Sequence, residues 1–234
     1  MVAPFTGLLP FSPLLQRRVA TLQTHSKRTE VIFNSPIVIY SWDSVTGALM
    51  RQNIVKRVGG TYYIIDLAKL VRLMNGNKKW KDIGLPNLFG PISIVSTDPN
   101  RSNSGMMFTG LLANVLNGGE VVDAKTVRGS LPALKKFYRR LGYMQGDSGS
   151  LFAQYIQMGE GQYPLVVGYE SQIVEYQHQH PELRDLIGKS LRVLYPQPTV
   201  WSSHPFIALN DKATRAIPAF QDAEIQKLMW NSGS

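Results

Sequence analysis

The chain contains no cysteine and no long hydrophobic run. Without cysteine, disulfide bonds and thiol chemistry are excluded. The longest apolar runs have the length of a strand, as in residues 36–40, so the sequence predicts no transmembrane helix. Hydrophobic residues make up 44% and charged residues 18% of the 234 positions, a composition typical of a folded globular protein. No internal repeat or low-complexity tract is present.

Acidic residues are scarce relative to basic ones. The chain has 16 Asp and Glu against 25 Lys and Arg, a net charge of +9 and a pI of about 9.8. Such an excess suggests nucleic acid, an anionic surface or an anionic ligand as a partner. One of the densest basic clusters, residues 135–140, lies on the polar face of an amphipathic helix pattern. This arrangement is typical of a solvated helix face, so we predict no nucleic-acid partner.

The N-terminal residues 1–10 are apolar, but the basic pair Arg17 and Arg18 comes after them. A secretory signal peptide carries its positive charges before the apolar segment. The sequence therefore predicts neither a signal peptide in this chain nor insertion into a membrane.

Strand-like and helix-like segments alternate along the chain, which predicts an α/β fold. Strands are expected at residues 30–33, 37–41, 62–65, 92–96, 165–169 and 206–209. Helices are expected at residues 44–55, 67–74, 104–116, 131–141, 150–158 and 182–187. The third helix is the clearest, because its apolar residues recur at helical spacing. These are Phe108, Leu111, Leu112, Val115 and Leu116.

Small polar residues cluster where that third helix begins, at Ser102, Asn103, Ser104 and Gly105. Ser and Asn at this place satisfy unpaired amides of a first helical turn, so helix capping is the simpler interpretation. The same amides, hydroxyls and small glycine would also accommodate an anion or another polar ligand. From this stretch alone, both interpretations remain open.

A second helix start of the same kind contains Ser148, within residues 146–150. Its letters Gly-Asp-Ser-Gly resemble the nucleophile segment of trypsin-like serine proteases. That family continues into a strand, whereas a helix pattern follows here, and no histidine lies in a segment that suggests a catalytic base. Two helix starts with hydroxyls and glycine predict instead a polar ligand held by amides and hydroxyls.

Several segments, in their order along the chain, resemble bacterial extracellular solute-binding proteins of ABC transporters. They are residues 34–40, 80–84, 96–105 and 164–171, and the likeness extends over roughly residues 30–230. It is strongest to the molybdate-binding-like branch of the type II periplasmic-binding fold. This resemblance implies two α/β lobes that are joined by two hinge strands, with the ligand in the cleft between them.

The resemblance also implies a division of the chain into lobes. Residues 1–40 and 164–234 would form the first lobe with the hinge strands, and residues 41–163 the second. The hinge strands would be residues 30–40 and 165–176. Members of the family carry a longer N-terminal part, so the first lobe is expected to be incomplete or to be completed by another chain or domain.

The function that the resemblance implies is non-catalytic binding of a small polar solute, expected to be anionic, for ABC-type uptake or sensing outside the cytoplasm. An ABC transporter permease is the further partner it suggests; no cofactor or metal site is predicted. Two alternatives remain, a hydrolase that uses Ser148 or Ser104, and an interaction or sensor module that keeps the fold without a ligand. Our candidate ligand-binding residues are Ser35, Ser102, Asn103, Ser104, Gly105, Ser148 and Tyr169.

Overall fold

The computed structural model describes Thr21 and residues 25–231, with side chains as far as residue 229. The predictions about residues 1–20 therefore lie outside the described residues. The strands are β1 (Arg28–Trp42), β2 (Val55–Val58), β3 (Tyr62–Asp66), β4 (Leu165–Tyr169), β5 (Leu191–Gln197) and β6 (Trp201–Ala208). The helices are α1 (Asp43–Arg51), α2 (Leu67–Asn75), α3 (Asn103–Leu116), α4 (Val127–Leu141), α5 (Ser148–Met158), α6 (Glu170–Gln179), α7 (Arg184–Ser190), α8 (Asp211–Thr214), α9 (Ile217–Gln221) and α10 (Ala223–Asn231), with 3-10 turns at Trp80–Ile83 and Pro181–Leu183.

The strands form one mixed sheet in the order β2-β3-β5-β1-β4, and β6 pairs with β1. Strand β1 is antiparallel to both β4 and β5, and β3 is parallel to β5. Strands β3, β5 and β4 therefore run in the same direction. Their last residues, Asp66, Gln197 and Tyr169, reach the same side of the sheet, which we call the carboxyl edge.

Strand β1 is long because it belongs to two ladders. Its residues 37–42 lie inside the sheet between β4 and β5, whereas residues 28–36 pair only with β6. Since β1 runs opposite to β4 and β5, its first half projects beyond the carboxyl edge as a two-stranded ribbon with β6. The ribbon divides this edge into a β4 side and a β5–β3 side.

Both faces of the sheet are covered, and β1 shows why. Ile37 and Ile39 contribute to one core, and Val38 and Tyr40 to the other, all with 0% exposure. Alternate residues of a strand point to opposite faces, so this continuous apolar run suits a strand that is buried on both sides. Helices α1, α2 and α3 contribute to the first core, and α5, α6 and α7 to the second.

The predicted α/β class is confirmed, and so is the apolar stripe of the third helix. Phe108, Leu111, Leu112 and Val115 of α3 are all 8% exposed or less. In the part of the chain that the structure describes, no helix has both the length and the apolar character needed to cross a bilayer.

Several local predictions are wrong. The two expected strands at 30–33 and 37–41 are one strand, because β6 and the sheet give β1 partners along its length, with an irregularity in the register only between Val31 and Phe33. The segment 92–96 forms only an isolated bridge between Val95 and Val166. Residues 170–176, expected in a hinge strand, belong to α6, and β6 is the partner of the first half of β1. The two-lobed arrangement and its boundaries stay predictions.

Candidate functional site

Helix α3 begins at the carboxyl edge beside β4. The segment that precedes it runs along β4, where Val95 N donates to Leu165 O and Val167 N donates to Val95 O, both at 2.9 Å. The chain then turns, because Asp98 O accepts the amides of Arg101 at 3.1 Å and Ser102 at 2.9 Å. This turn brings the hydroxyl groups before and after it close together.

Three hydroxyl groups form a closed triangle at the start of α3. Thr97 Oγ1 lies 2.9 Å from Ser102 Oγ and 3.0 Å from Ser104 Oγ, and the two serine oxygens are 2.9 Å apart. A hydroxyl donates one proton and accepts others, so each member can donate to the next. Thr97 and Ser104 are each 1% exposed. The triangle is therefore an internal network.

None of these hydroxyls caps the backbone of α3. Ser102 occupies the N-cap position, with φ −126° and ψ 135°, and its side chain accepts no amide. Among the residues that the structure describes, the amides of Asn103, Ser104 and Gly105 form no hydrogen bond, whereas Met106 N donates to Ser102 O at 3.0 Å. Free amides at a helix start, together with the helix dipole, favour a bound anion.

Gly105 allows the turn to pack against α3. A Cβ at this position would lie 2.5 Å from Thr97 O and 2.9 Å from Thr97 Oγ1. Because any larger side chain would push these groups apart, the glycine is required for the close approach that creates the hydroxyl triangle.

Tyr169, the last residue of β4, joins this site through its phenol. Asn103 Nδ2 donates to Tyr169 Oη at 2.9 Å, and Tyr169 Oη lies 3.7 Å from Met107 Sδ. Burial raises the pKa of Tyr169, while hydrogen bonds with Asn103 and Ser202 act in the opposite direction. The phenol is thus a neutral group at physiological pH.

Ser202 connects the site to the ribbon. It pairs with Ser35 in the β1–β6 ladder, so the two side chains lie on the same face of the ribbon. Because the hydroxyl of Ser202 also reaches the phenol of Tyr169, polar groups continue from α3 across β4 towards Ser35. Ser35 therefore lies beside Ser202 on the ribbon.

The second helix start, that of α5, has a cap. Asp147 Oδ1 accepts Ser150 N at 2.7 Å, and Asp147 Oδ2 accepts Ser150 Oγ at 2.8 Å. These hydrogen bonds, the backbone one foremost, hold the pKa of Asp147 below its ordinary value. The start of α5 therefore already carries its own carboxylate.

Ser148 is linked to Tyr169 indirectly. Its carbonyl oxygen accepts Gln172 Nε2 at 2.7 Å, and Gln172 Oε1 accepts Tyr169 N at 2.8 Å. The two helix starts also meet through Asp98 N, which donates to Gln145 O at 2.9 Å. Five of our seven predicted residues thus gather at the start of α3, Ser35 lies beyond Ser202, and Ser148 is joined through Gln172.

Sequence reasoning missed three residues that belong to this arrangement. Thr97 stood inside the polar stretch before α3, directly after the strand predicted at residues 92–96, and this position of its hydroxyl was a usable signal. Gln172 follows Tyr169 by three positions, the spacing of a capping box, and its Oε1 accepts Tyr169 N as the third residue of such a box does. Ser202 carried no such signal, because only the β1–β6 register brings it to Tyr169.

In the described part of the chain, no hydrogen bond joins a histidine to Ser104 or Ser148. His178 Nδ1 lies 2.9 Å from Val174 O, and His180 Nδ1 lies 3.4 Å from Glu182 Oε1. No group of three or more His, Asp or Glu side chains that could hold a metal ion occurs among the same residues.

An open groove with a volume of about 420 Å³ lies on the other side of the ribbon, at the carboxyl ends of β3 and β5. Its lining residues are Ile54, Lys56, Ile64, Asp66, Ala68, Arg72, Val115, Gly118, Gly119, Gln197 and Pro198. None of our predicted ligand-binding residues lines it.

Comparisons with known proteins add little to this geometry. No family model matches the chain, and no curated protein matches it. A solved structure described as "Two-component system protein mediate signal transduction" is similar at 12% identity with a TM-score of 0.44. The match covers 97% of this chain and 62% of that one.

Proposed function

We propose that this chain binds a small polar anion, without catalysing a reaction, at the start of α3. The proposal depends chiefly on one observation: the amides of residues 103–105 have no acceptor within the described structure, while the neighbouring hydroxyls bond to one another. An oxyanion at this place would accept the free amides and lie at the positive end of the helix dipole.

Neutral donors would supply the rest of the site. Asn103 in the first turn and Tyr169 beside it would orient a ligand through a side-chain amide and a phenol. Because the Ser104 hydroxyl bonds to Thr97 and Ser102, we expect it to rotate towards the anion when a ligand enters. The net charge of +9 would favour the approach of an anion.

The wider role follows from the resemblance described above. We propose that residues 1–40 and 164–234 belong to one lobe, residues 41–163 to the other, and that the lobes close over the solute. Such a protein would act outside the cytoplasm, either delivering the solute to an ABC transporter permease or reporting its presence to a sensor.

A thermal-shift screen tests the proposal. The panel consists of sulfate, phosphate, molybdate, acetate, citrate and glucose. A ligand present at a hundred times its Kd stabilises the folded state by about 2.7 kcal/mol, which corresponds to a rise in Tm of about 5–10 °C for a chain of this size. We expect at least one oxyanion to produce such a rise and glucose to produce none; a folded sample whose Tm no anion changes would contradict the proposal.

Two serine variants then locate the site. Ser104→Ala removes a hydrogen bond to a charged acceptor, so we expect affinity for the bound anion to fall about tenfold or more. Ser148→Ala is its counterpart, because the start of α5 already holds the Asp147 carboxylate. We expect this variant to bind within about twofold of the wild type. Calorimetric titration of both variants measures the difference.

A second candidate function is an interaction or sensor module that has no small ligand. The closed hydroxyl triangle and the 1% exposure of Ser104 favour it, because the hydroxyl groups of the site already form hydrogen bonds with one another. A flat thermal-shift screen would support this alternative. Labelling of Ser104 or Ser148 by a fluorophosphonate would instead support a hydrolase.

A further inference from the structure

The open groove on the β5–β3 side of the carboxyl edge has the position of a ligand site. Asp66 and Gln197 are opposite each other in the parallel ladder of β3 and β5, and both line the groove. In open α/β sheets, ligands bind outside the carboxyl ends of the strands. Helix α3 contributes Val115 at its other end, so the groove and the proposed anion site lie at opposite ends of this helix.

The groove combines an apolar wall with two basic side chains. Its apolar lining residues are Ile54, Ile64, Ala68, Val115 and Pro198. Lys56 of β2 and Arg72 of α2 are exposed on the same groove. Neither forms an ion pair within the described residues.

Asp66, the carboxylate among the described lining residues, does not balance these charges. Asp66 caps α2, since its Oδ1 accepts Lys69 N at 2.9 Å, and its Oδ2 lies 3.4 Å from Lys69 Nζ. Its negative charge is therefore matched by Lys69. Among the described residues that line the groove, no other acidic side chain offsets the positive charges of Lys56 and Arg72.

We propose that this groove binds a small organic anion that carries one carboxylate on an apolar body. Its volume of about 420 Å³ suits such a molecule, because pockets for small molecules commonly enclose about 300–1,000 Å³. The guanidinium of Arg72 suits a carboxylate, which it can bind through two parallel hydrogen bonds. The apolar wall would take the body of the ligand. This site is independent of the one at the start of α3.

Calorimetric titration with 4-phenylbutyrate and with hexanoate tests the proposal. We expect saturable binding of at least one, with affinity reduced about three- to tenfold in each of Lys56→Gln and Arg72→Gln, because each removes a charged donor. Lys78→Gln is the matched control, since Lys78 is exposed and does not line the groove. It should leave binding unchanged.

Three further measurements test the role of the carboxylate, the position of the site and its independence from the α3 start. The neutral amide 4-phenylbutyramide should bind at least about tenfold more weakly than the acid, and Ala68→Leu, which fills the groove, should abolish binding of both acids. Ser104→Ala should have no effect. The proposal is overturned if neither acid binds at millimolar concentration, if the Lys56 and Arg72 variants bind like the wild type, or if Ser104→Ala weakens binding instead.

Discussion

The starts of α3 and α5 look alike in sequence and differ in structure. Both place serine and glycine in the first helical turn. In α5, the Asp147 carboxylate accepts the amide of Ser150 at 2.7 Å. In α3, the N-cap residue is Ser102, and its hydroxyl bonds to Thr97 and Ser104 instead of the backbone. One helix supplies its own anion, and the other leaves its first amides free.

This difference teaches that the identity of the N-cap residue is not enough to predict a cap. Serine at an N-cap usually accepts an amide of the first turn. Here the hydroxyls of Thr97 and Ser104 lie within 3.0 Å of each other and of Ser102 Oγ. They therefore compete with the backbone amides for the hydroxyl of Ser102. The competition is possible only because Gly105 lets the preceding turn approach the helix.

The largest contrast is expected from adding one methyl group to each helix start. In Gly105→Ala the new Cβ would lie 2.5 Å from Thr97 O, whereas in Gly149→Ala it would meet only Asp147 Oδ1 at 3.4 Å. We expect Gly105→Ala to lower the free energy of unfolding by about 1–3 kcal/mol, and Gly149→Ala to change it by less than about 1 kcal/mol. Urea denaturation measures both; equal losses would show that the two starts are packed alike.

Removing the carboxylate of α5 should have the next largest effect. We expect Asp147→Ala to lower the free energy of unfolding by about 0.5–2 kcal/mol at pH 7. Because the hydrogen bonds from Ser150 lower the pKa of Asp147 in the folded state, the stabilisation is complete above the unfolded pKa and is lost as the pH falls through the folded one. The deficit of the variant should therefore shrink below about pH 4.

Asp147→Asn is the control for this prediction, since asparagine keeps a capping oxygen and does not titrate. The difference in the free energy of unfolding between Asp147→Asn and Asp147→Ala should stay constant between pH 7 and pH 3. We expect this difference to be about 1 kcal/mol or less throughout. A deficit of Asp147→Ala that grows towards acidic pH would contradict the assignment of the cap.

A smaller change in stability is expected when α3 is made to resemble α5. Ser102→Asp places a carboxylate at the N-cap of α3, where it can accept the free amides. We expect the free energy of unfolding to rise by about 0.5–1 kcal/mol, and the affinity for an oxyanion to fall at least about tenfold, because the amides are then occupied. Thermal unfolding with and without the ligand measures both; unchanged affinity would place the anion elsewhere.

Elements with strong local signals could be predicted from the sequence. Helix α2 was expected at residues 67–74, and the structure places it at Leu67–Asn75, with Asp66 as its N-cap and Gly76 as its C-cap. The apolar stripe from Phe108 to Val115 identified α3, because helical spacing can be recognised in the sequence without knowing which surface the helix packs against. The cluster at the start of α3 was found for the same reason, since its residues adjoin in sequence.

Features that depend on distant partners could not be predicted. Strand β5 has no clean alternation, and only its pairing with β1 and β3 makes Leu191–Gln197 a strand. Segment 92–96 has strand-like residues but forms only the bridge at Val95. The bond from Asn103 to Tyr169 joins residues that are 66 positions apart, and the groove combines four separate segments of the chain.

Amide chemical shifts measured by NMR during titration with the best oxyanion of the panel test the central claim most directly. The account predicts that the amides of Asn103, Ser104 and Gly105 shift most and saturate together, because they donate to the anion. The amides of Gly149 and Ser150 in α5 should remain in place, since Asp147 already serves that helix. Saturating shifts at α5, with those of residues 103–105 unchanged, would contradict it.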